Sequence, residues 1–326
     1  MRHTAETLSP EERVKWLAEG RAWFGMWREE GYPFSEENVR HAYDLVGLDQ
    51  SLHLAANLKL SGRMDGAMLL ADLAVEEADS IAQAWEEEHD EQYHSFTDLV
   101  EFIMYDLRVN GSFVDGEREG IDLANWHTPN IATAYMMKGS LVYDMGRHEE
   151  SLAWQRKSVA VNPMCASAVM EMAECCKLLG DMETGLEYAR QALSVAWRID
   201  AIAKARRTVA FCEGELGNYD ACAANLVIAN DYEPSPIVAN ELMWLRSQGW
   251  DGKMTLERAL EIAPEEVNGI ATSEIAQEAM ILTLKLLQDE KIPDMALLRD
   301  IMESLLASSR STRNGATGDS DLPSAP

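Results

Sequence analysis

The sequence contains few of the residues that interrupt regular secondary structure. It has only 20 glycines and 10 prolines among 326 residues, and this low share fits an all-helical chain. Its five cysteines, an odd number, do not indicate the disulfide framework of a small secreted domain. We therefore expect reduced thiols that pack as small apolar side chains.

Long apolar segments are also absent. No window of about 20 uninterrupted apolar residues occurs, which argues against a membrane-spanning helix. The N-terminus carries charged residues in place of an apolar stretch, so it does not have the pattern of a signal peptide. Together these features predict a cytoplasmic protein that does not bind a membrane.

Positive charge is scarce relative to negative charge. The 28 Lys and Arg residues stand against 56 Asp and Glu residues, which gives a formal net charge of -28 at pH 7. A surface of this sign repels the phosphate backbone, so the sequence predicts no nucleic-acid partner. We interpret the acidic total mainly as a source of solubility.

Motifs for catalysis and metal binding are missing as well. The sequence has no Gly-rich phosphate loop, no His-Glu-x-x-His motif and no serine nucleophile elbow, so we predict a protein that is not an enzyme and needs no cofactor. His89 and His94 are five residues apart and would lie on different faces of a helix, unlike helical zinc ligands. Cys175 and Cys176 are adjacent and would point about 100° apart, so they do not readily share a metal ion.

What the sequence does contain is a repeated pattern of two helices. Three segments share one layout, in which a glycine separates two helical halves. The segments span residues 132–163, 166–199 and 203–234. Their glycines are Gly146, Gly180 and Gly217, separated by 34 and then 37 residues. Glycine at this place suits the left-handed conformation that ends a helix.

Small residues recur at three places in each segment, where they let two antiparallel helices approach closely. In the middle of the first helix they are Gly139, Ala173 and Ala210. At the start of the second helix they are Ser151, Gly185 and Cys222, followed two turns later by Ser158, Ala192 and Ala229. Trp197 stands where the other two segments have proline, and the middle segment has three extra residues. Together these features predict that the second helix of the middle segment is about one turn longer.

A period of about 34 residues with this layout resembles the tetratricopeptide repeat. The resemblance implies an all-α, right-handed superhelical solenoid of helix-turn-helix repeats. The 47% share of apolar residues is ample for the core of such a fold. The resemblance further implies a concave groove, lined by the first helices of successive repeats, in which partners generally bind.

The rest of the chain divides into six segments around the three repeats. They are an N-terminal helical pair (1–47), a degenerate repeat (48–79), an irregular segment (80–130), a shortened repeat (236–264) that closes the repeat region 131–264, C-terminal capping helices (265–308) and a disordered tail (309–326). In the degenerate repeat, Ala55 and Gly62 take the places of the small residue and the turn glycine. Within the irregular segment, residues 96–107 predict an amphipathic helix. The capping helices would cover the apolar face that a solenoid exposes at its end.

The resemblance places the groove residues on the first helices. A helix presents residues i, i+4 and i+7 on one face, and their neighbours lie beside that face. The predicted groove residues are Met136, Met137, Ser140 and Tyr143 in the first repeat, Met170, Glu171, Glu174 and Lys177 in the second, and Lys204, Arg207, Thr208 and Phe211 in the third. Such a groove is rich in methionine and basic at the end that holds Lys204 and Arg207.

One subgroup of the family grips the C-terminal carboxylate of a peptide with lysine, asparagine and arginine side chains. Carried over to this sequence, those places hold Met136, Ser140, Glu171, Lys204 and Thr208. Only Lys204 keeps the required type, and Glu171 would repel a carboxylate. The sequence therefore does not predict a receptor of this kind.

The resulting hypothesis is a non-enzymatic protein-protein interaction module that binds a partner peptide or protein segment in its groove. Flexible methionine side chains suit a helical or extended apolar segment. Two alternatives stay open, a structural scaffold that assembles as a homo-oligomer and a regulator that senses a peptide. It is equally open whether the chain's own N-terminal helices, or a second copy, cover Met136, Met170 and Phe211.

Overall fold

The computed structural model describes residues 34–90, 92–110 and 130–263, together with Ser9, Lys15 and Trp27. This part of the chain consists of helices and their connections and contains no strand, so the predicted all-α helical-repeat fold is confirmed. In chain order the helices are α1 (Glu36–Leu60), α2 (Met64–His89), α3 (Leu99–Asn110), α4 (Ile131–Asp144), α5 (His148–Val161), α6 (Ala166–Leu179), α7 (Met182–Val195), α8 (Ile199–Glu215), α9 (Tyr219–Tyr232), α10 (Pro236–Ser247) and α11 (Leu256–Ile262).

Several predicted segments lie outside the described residues. They are the N-terminal region before residue 34 apart from the three single residues, the predicted loop within 111–129, the capping helices at 265–308 and the tail at 309–326.

The chain divides into two compact units, which are described separately. The first unit comprises Met1–Leu99 and Asp122–Pro163, and the second comprises Val100–Ile121 and Met164–Pro326. The first unit therefore contains α1, α2, α4 and α5. The second contains α3 apart from its first residue, and α6 to α11.

The turns between paired helices follow one design. In each of them a glycine adopts a positive φ: Gly62 (73°), Gly146 (76°), Gly180 (79°), Gly217 (82°) and Gly249 (93°). The sequence predicts the first four of these turn glycines. The residue after the glycine donates its backbone N–H to the carbonyl oxygen five positions earlier, for example from Arg147 to Val142 at 3.0 Å. This hydrogen bond satisfies a carbonyl that the helix end leaves unpaired, which is why the same residue pattern makes the same turn each time.

The small residues of the repeats lie where paired helices touch. All of them are buried: Ala55, Ala67, Ala74, Gly139, Ser151, Ser158, Ala173, Gly185, Ala192, Ala210, Cys222 and Ala229. At Gly139 the approach is so close that an added Cβ would lie 2.6 Å from Nε2 of Gln155 on the facing helix. The hydroxyl of Ser158 donates to the carbonyl oxygen of Ala132 at 2.9 Å, so one of the small residues also links α5 to α4.

In the first unit, two helix pairs stack on each other. α1 packs against α2 and α4 against α5, and α4 also contacts both α1 and α2. Lys59 Nζ lies 3.0 Å from Asp144 Oδ2, and the hydroxyl of Tyr135 donates to Asp79 Oδ1 at 2.7 Å. The degenerate repeat thus stacks directly on the repeat at 132–163, although about 50 residues separate them in the sequence.

Residues 92–97, a segment without helix or strand, form hydrogen bonds to both helices of the pair α4 and α5. Gln92 Nε2 donates to the carbonyl oxygen of Ala160 at 2.8 Å, and the backbone N–H of Ser95 donates to the carbonyl oxygen of Val161 at 3.3 Å. The hydroxyl of Ser95 in turn accepts from the N–H of Ala132 at 3.3 Å. The segment therefore satisfies backbone groups at the end of α5 and the start of α4, and α3 begins at Leu99 rather than at Phe96.

Within α1, Gly47 separates two helical stretches. Its φ of 76° and ψ of -177° are not helical, and this region of backbone space is essentially open only to glycine. The break falls at the boundary between the segments assigned to 1–47 and 48–79 by sequence. α2 then continues past residue 79 to His89, where Asp90 ends it with a left-handed φ of 54°.

The second unit repeats the contact pattern of the first. α6 packs against α7 and α8 against α9, α8 also contacts both α6 and α7, and α9 contacts α10 and α11. The predicted lengthening of the second helix near Trp197 is wrong, because α7 has 14 residues, as α5 and α9 do. Ala196 leaves helical geometry with a ψ of 128°, and the extra turn belongs instead to α8, which has 17 residues.

Candidate functional site

A cleft of about 190 Å³ opens on the second unit. Its lining residues are Lys177 from α6, Arg207, Thr208 and Phe211 from α8, Cys222 and Leu226 from α9, and Ile237 and Glu241 from α10. Because α6, α8 and α10 are the first helices of successive repeats, this is the face on which the family resemblance places partner binding. We call it the first-helix cleft.

The apolar part of the first-helix cleft is open to solvent. Phe211 is 37% exposed and Ile237 is 54% exposed, so two large apolar side chains of the cleft are in contact with solvent. Leu226 and Cys222 are buried beneath them. Burial raises the pKa of the Cys222 thiol to about 12, with the carboxylates of Glu241 and Glu213 adding to the effect. The thiol therefore stays protonated near neutral pH and acts as an apolar lining group.

Lys177 holds the aromatic side of the cleft in place. Its Nζ lies 4.2 Å from the centroid of the Phe211 ring, a geometry in which the ring attracts the cation. Both carboxylate oxygens of Glu174 accept from the same Nζ at 2.9 Å. The hydroxyl of Thr208 donates to the carbonyl oxygen of Lys204 at 3.1 Å, so it is occupied within its own helix.

The basic residues predicted for the groove already have acidic partners. Arg207 Nη2 lies 3.1 Å from Glu233 Oε2, and Lys204 Nζ lies 3.8 Å from Glu171 Oε1. With Lys177, all three cations are therefore paired within the unit. Arg207 keeps one buried donor, Nη1, without a hydrogen-bond acceptor among the described residues.

Of the eight predicted groove residues in the second unit, the structure brings four together in the cleft. Lys177, Arg207, Thr208 and Phe211 line it. Glu174 and Lys204 lie beside it through their contacts with Lys177 and Thr208. Glu171 is half-buried against Lys204, whereas Met170 is buried, with only 3% of its surface exposed, and does not present a surface to a partner.

The four predicted residues of the first unit lie on α4 and are all partly buried. Ser140 Oγ accepts from Lys59 Nζ at 2.5 Å, so a side chain of the preceding repeat covers it. The Tyr143 ring packs edge-on against His148 at 5.2 Å between centroids. Met137 packs against the core of this unit, and the carbonyl oxygen of Met136 accepts from Gln155 Nε2 at 3.3 Å.

Sequence reasoning missed Ile237 and Glu241. They are four residues apart on α10, the first helix of the shortened repeat, and so share a helix face. The i, i+4 spacing that predicts groove residues in the three preceding repeats also indicates both of these residues on α10. Cys222 and Leu226 belong to a second helix, and no sequence signal distinguishes them from ordinary core positions.

Within residues 34–90, 92–110 and 130–263, no helix combines the length and the apolar character that crossing a bilayer requires. The same residues contain no group of three or more His, Cys, Asp or Glu side chains arranged to hold a metal ion.

Comparison with known families identifies one repeat directly. Residues 132–163, which form α4 and α5, match the family model described as the tetratricopeptide repeat. No curated protein matches the chain. Repeats of this family mediate protein-protein interactions and are typically not enzymatic. The second unit contains helix pairs with the same turns and the same contact pattern as the matched pair.

Proposed function

Because the chain carries a tetratricopeptide repeat at residues 132–163, we propose that it is a non-enzymatic protein-interaction module that docks a partner segment in the first-helix cleft. The exposed apolar pair Phe211 and Ile237, which line this concave site, is the observation that carries the proposal. An apolar side chain of the partner gains free energy when it leaves water and covers these two residues.

The size of the first-helix cleft favours a protein segment over a small ligand. Small-molecule sites typically enclose about 300–1,000 Å³, and this cleft measures about 190 Å³. A space of this size suits one anchoring side chain, while the rest of the bound segment lies along the first helices of the second unit. The mechanism is binding by a prearranged surface, in which Lys177 fixes the Phe211 ring before a partner arrives.

A peptide library displayed on phage and selected on the purified full-length chain tests the proposal. Ile237→Asp places a charge in the apolar part of the cleft, so selected peptides should bind this variant at least about tenfold more weakly. Met243→Asp is the matched control, because Met243 lies on the same helix and is 58% exposed but does not line the cleft. An equal loss of peptide binding in both variants, or no loss in either, would show that the cleft is not the binding site.

The self-assembly alternative gives a different result in the same variants. If the apolar pair joined two copies of the chain, the wild-type protein would gain mass with concentration, and Ile237→Asp would abolish the gain. Docking of a separate partner predicts a mass that does not depend on concentration. Light scattering on the wild type and both variants distinguishes the two.

A further inference from the structure

Around the first-helix cleft, the positive side chains have partners of opposite charge, and one negative side chain has none among the described residues. Its cations are paired: Lys177 with Glu174, Arg207 with Glu233, and Lys204, beside the cleft, with Glu171. The side-chain carboxylate of Glu241, which lines the cleft from α10, makes no hydrogen bond or ion pair within the described ranges. Among the described residues that line the cleft, the one charged side chain without a partner of opposite charge is therefore negative.

An acidic partner would have to disrupt pairs that already exist. To accept a hydrogen bond from Lys177, its carboxylate must compete with Glu174, whose two oxygens already accept from Nζ at 2.9 Å. It would also lie beside the Glu174 carboxylate, and like charges at short distance repel. A basic partner disrupts nothing, because the Glu241 carboxylate is open to it.

The charge of the whole chain acts in the same direction. A formal net charge of -28 surrounds the cleft with a negative potential, which attracts cationic segments and slows the approach of anionic ones.

We propose that the first-helix cleft selects partner segments in which an apolar anchor residue is flanked by lysine or arginine, with the anchor on Phe211 and Ile237 and the cation on Glu241. This inference rests on the proposed function and names the chemistry of its partner. It reverses the charge preference that Lys204 and Arg207 indicate in the sequence, because those two cations are used within the fold.

Fluorescence anisotropy with synthetic peptides tests the preference. Three versions of one library-selected peptide keep its apolar anchor and carry Lys, Gln or Glu at the flanking position. With the full-length chain we expect the Lys version to bind about two- to fivefold more tightly than the Gln version, since a partly exposed ion pair contributes modestly. The Glu version should bind most weakly, and the differences should shrink as salt shortens the screening length.

Two variants with the same change in charge locate the effect. Glu241→Gln should remove the preference for Lys. Glu187→Gln should leave it intact, because Glu187 is exposed on α7 and does not line the cleft. Equal or tighter binding of the Glu peptide, or an unchanged Lys preference in Glu241→Gln, would overturn the inference.

The outcomes separate this inference from the proposed function. If peptide binding depends on Ile237 but not on the sign of the flanking charge, the cleft is a docking site and only the charge preference is wrong. If no selected peptide depends on Ile237, the proposed function and the charge preference are both wrong.

Discussion

At the scale of single residues, Gly139 sets the distance between α4 and α5. An added Cβ would lie 2.6 Å from Nε2 and 2.9 Å from Cδ of Gln155, distances at which something must move. Gln155 is fully buried and donates to the carbonyl oxygen of Met136. Its side-chain amide therefore has no free space into which it could move away from an added methyl group. Glycine in the middle of a helix is unfavourable by about 0.5–1 kcal/mol relative to alanine, and the close approach explains why it is found here.

We therefore predict that Gly139→Ala destabilises the chain by about 1–2 kcal/mol in urea unfolding, because overpacking outweighs the gain in helix propensity. In a Gln155→Ala background the same substitution should become neutral or stabilising, since the obstructing amide is gone. Gly185→Ala serves as the control, because its Cβ would meet Cys212 Sγ at an ordinary 3.5 Å. Additive effects of Gly139→Ala and Gln155→Ala would contradict the close-contact explanation.

At the scale of helices and turns, two kinds of glycine break the chain in different ways. Gly180 ends α6 with a φ of 79° and a ψ of 10°, which is the left-handed region. Gly47 interrupts α1 with a φ of 76° and a ψ of -177°. Asparagine tolerates the left-handed region but not the second one, where its Cβ is strained.

Asparagine substitutions should therefore separate the two positions. Gly180→Asn should lower the free energy of unfolding by less than about 1 kcal/mol, because asparagine also serves as a left-handed helix cap. Gly47→Asn should cost about 1–3 kcal/mol, since the strain has no relief at that backbone geometry. Chemical denaturation followed by circular dichroism measures both. Equal losses would mean that Gly47 does not need its special conformation.

The elements that depend on local sequence could be predicted, and those that depend on neighbouring helices could not. Turn glycines and small contact residues follow from the chain's own spacing, and so does the helix face that carries Lys177, Arg207 and Phe211. The pairing of Arg207 with Glu233 joins α8 to the residue that follows α9, and residue spacing along a single helix does not reveal it. The sequence predicts the extra turn at the end of α7, whereas the structure has it in α8, because a missing proline does not show where a helix ends.

At the scale of the whole molecule, negative charge works against the folded state. A formal net charge of -28 on 326 residues means that carboxylates repel one another more strongly in the compact chain than in the unfolded one. The ion pairs of the two units act in the opposite sense, but partly exposed pairs contribute only about 0–1 kcal/mol each. The net repulsion should therefore dominate the response of stability to salt.

We predict that raising NaCl from about 0.01 M to about 0.3 M increases the melting temperature, because the screening length falls from about 30 Å to below 10 Å. A stabilisation of about 1 kcal/mol corresponds to a rise of about 2–4 °C for a domain of about 150–250 residues. Closer to the isoelectric point of about 4.5, fewer carboxylates are ionised, and the same salt should have a smaller effect.

Magnesium at equal ionic strength is the control, since general screening predicts the same shift in melting temperature whereas specific binding of the divalent ion predicts a larger one. A melting temperature that falls with salt would show that the internal ion pairs outweigh the repulsion between the excess carboxylates.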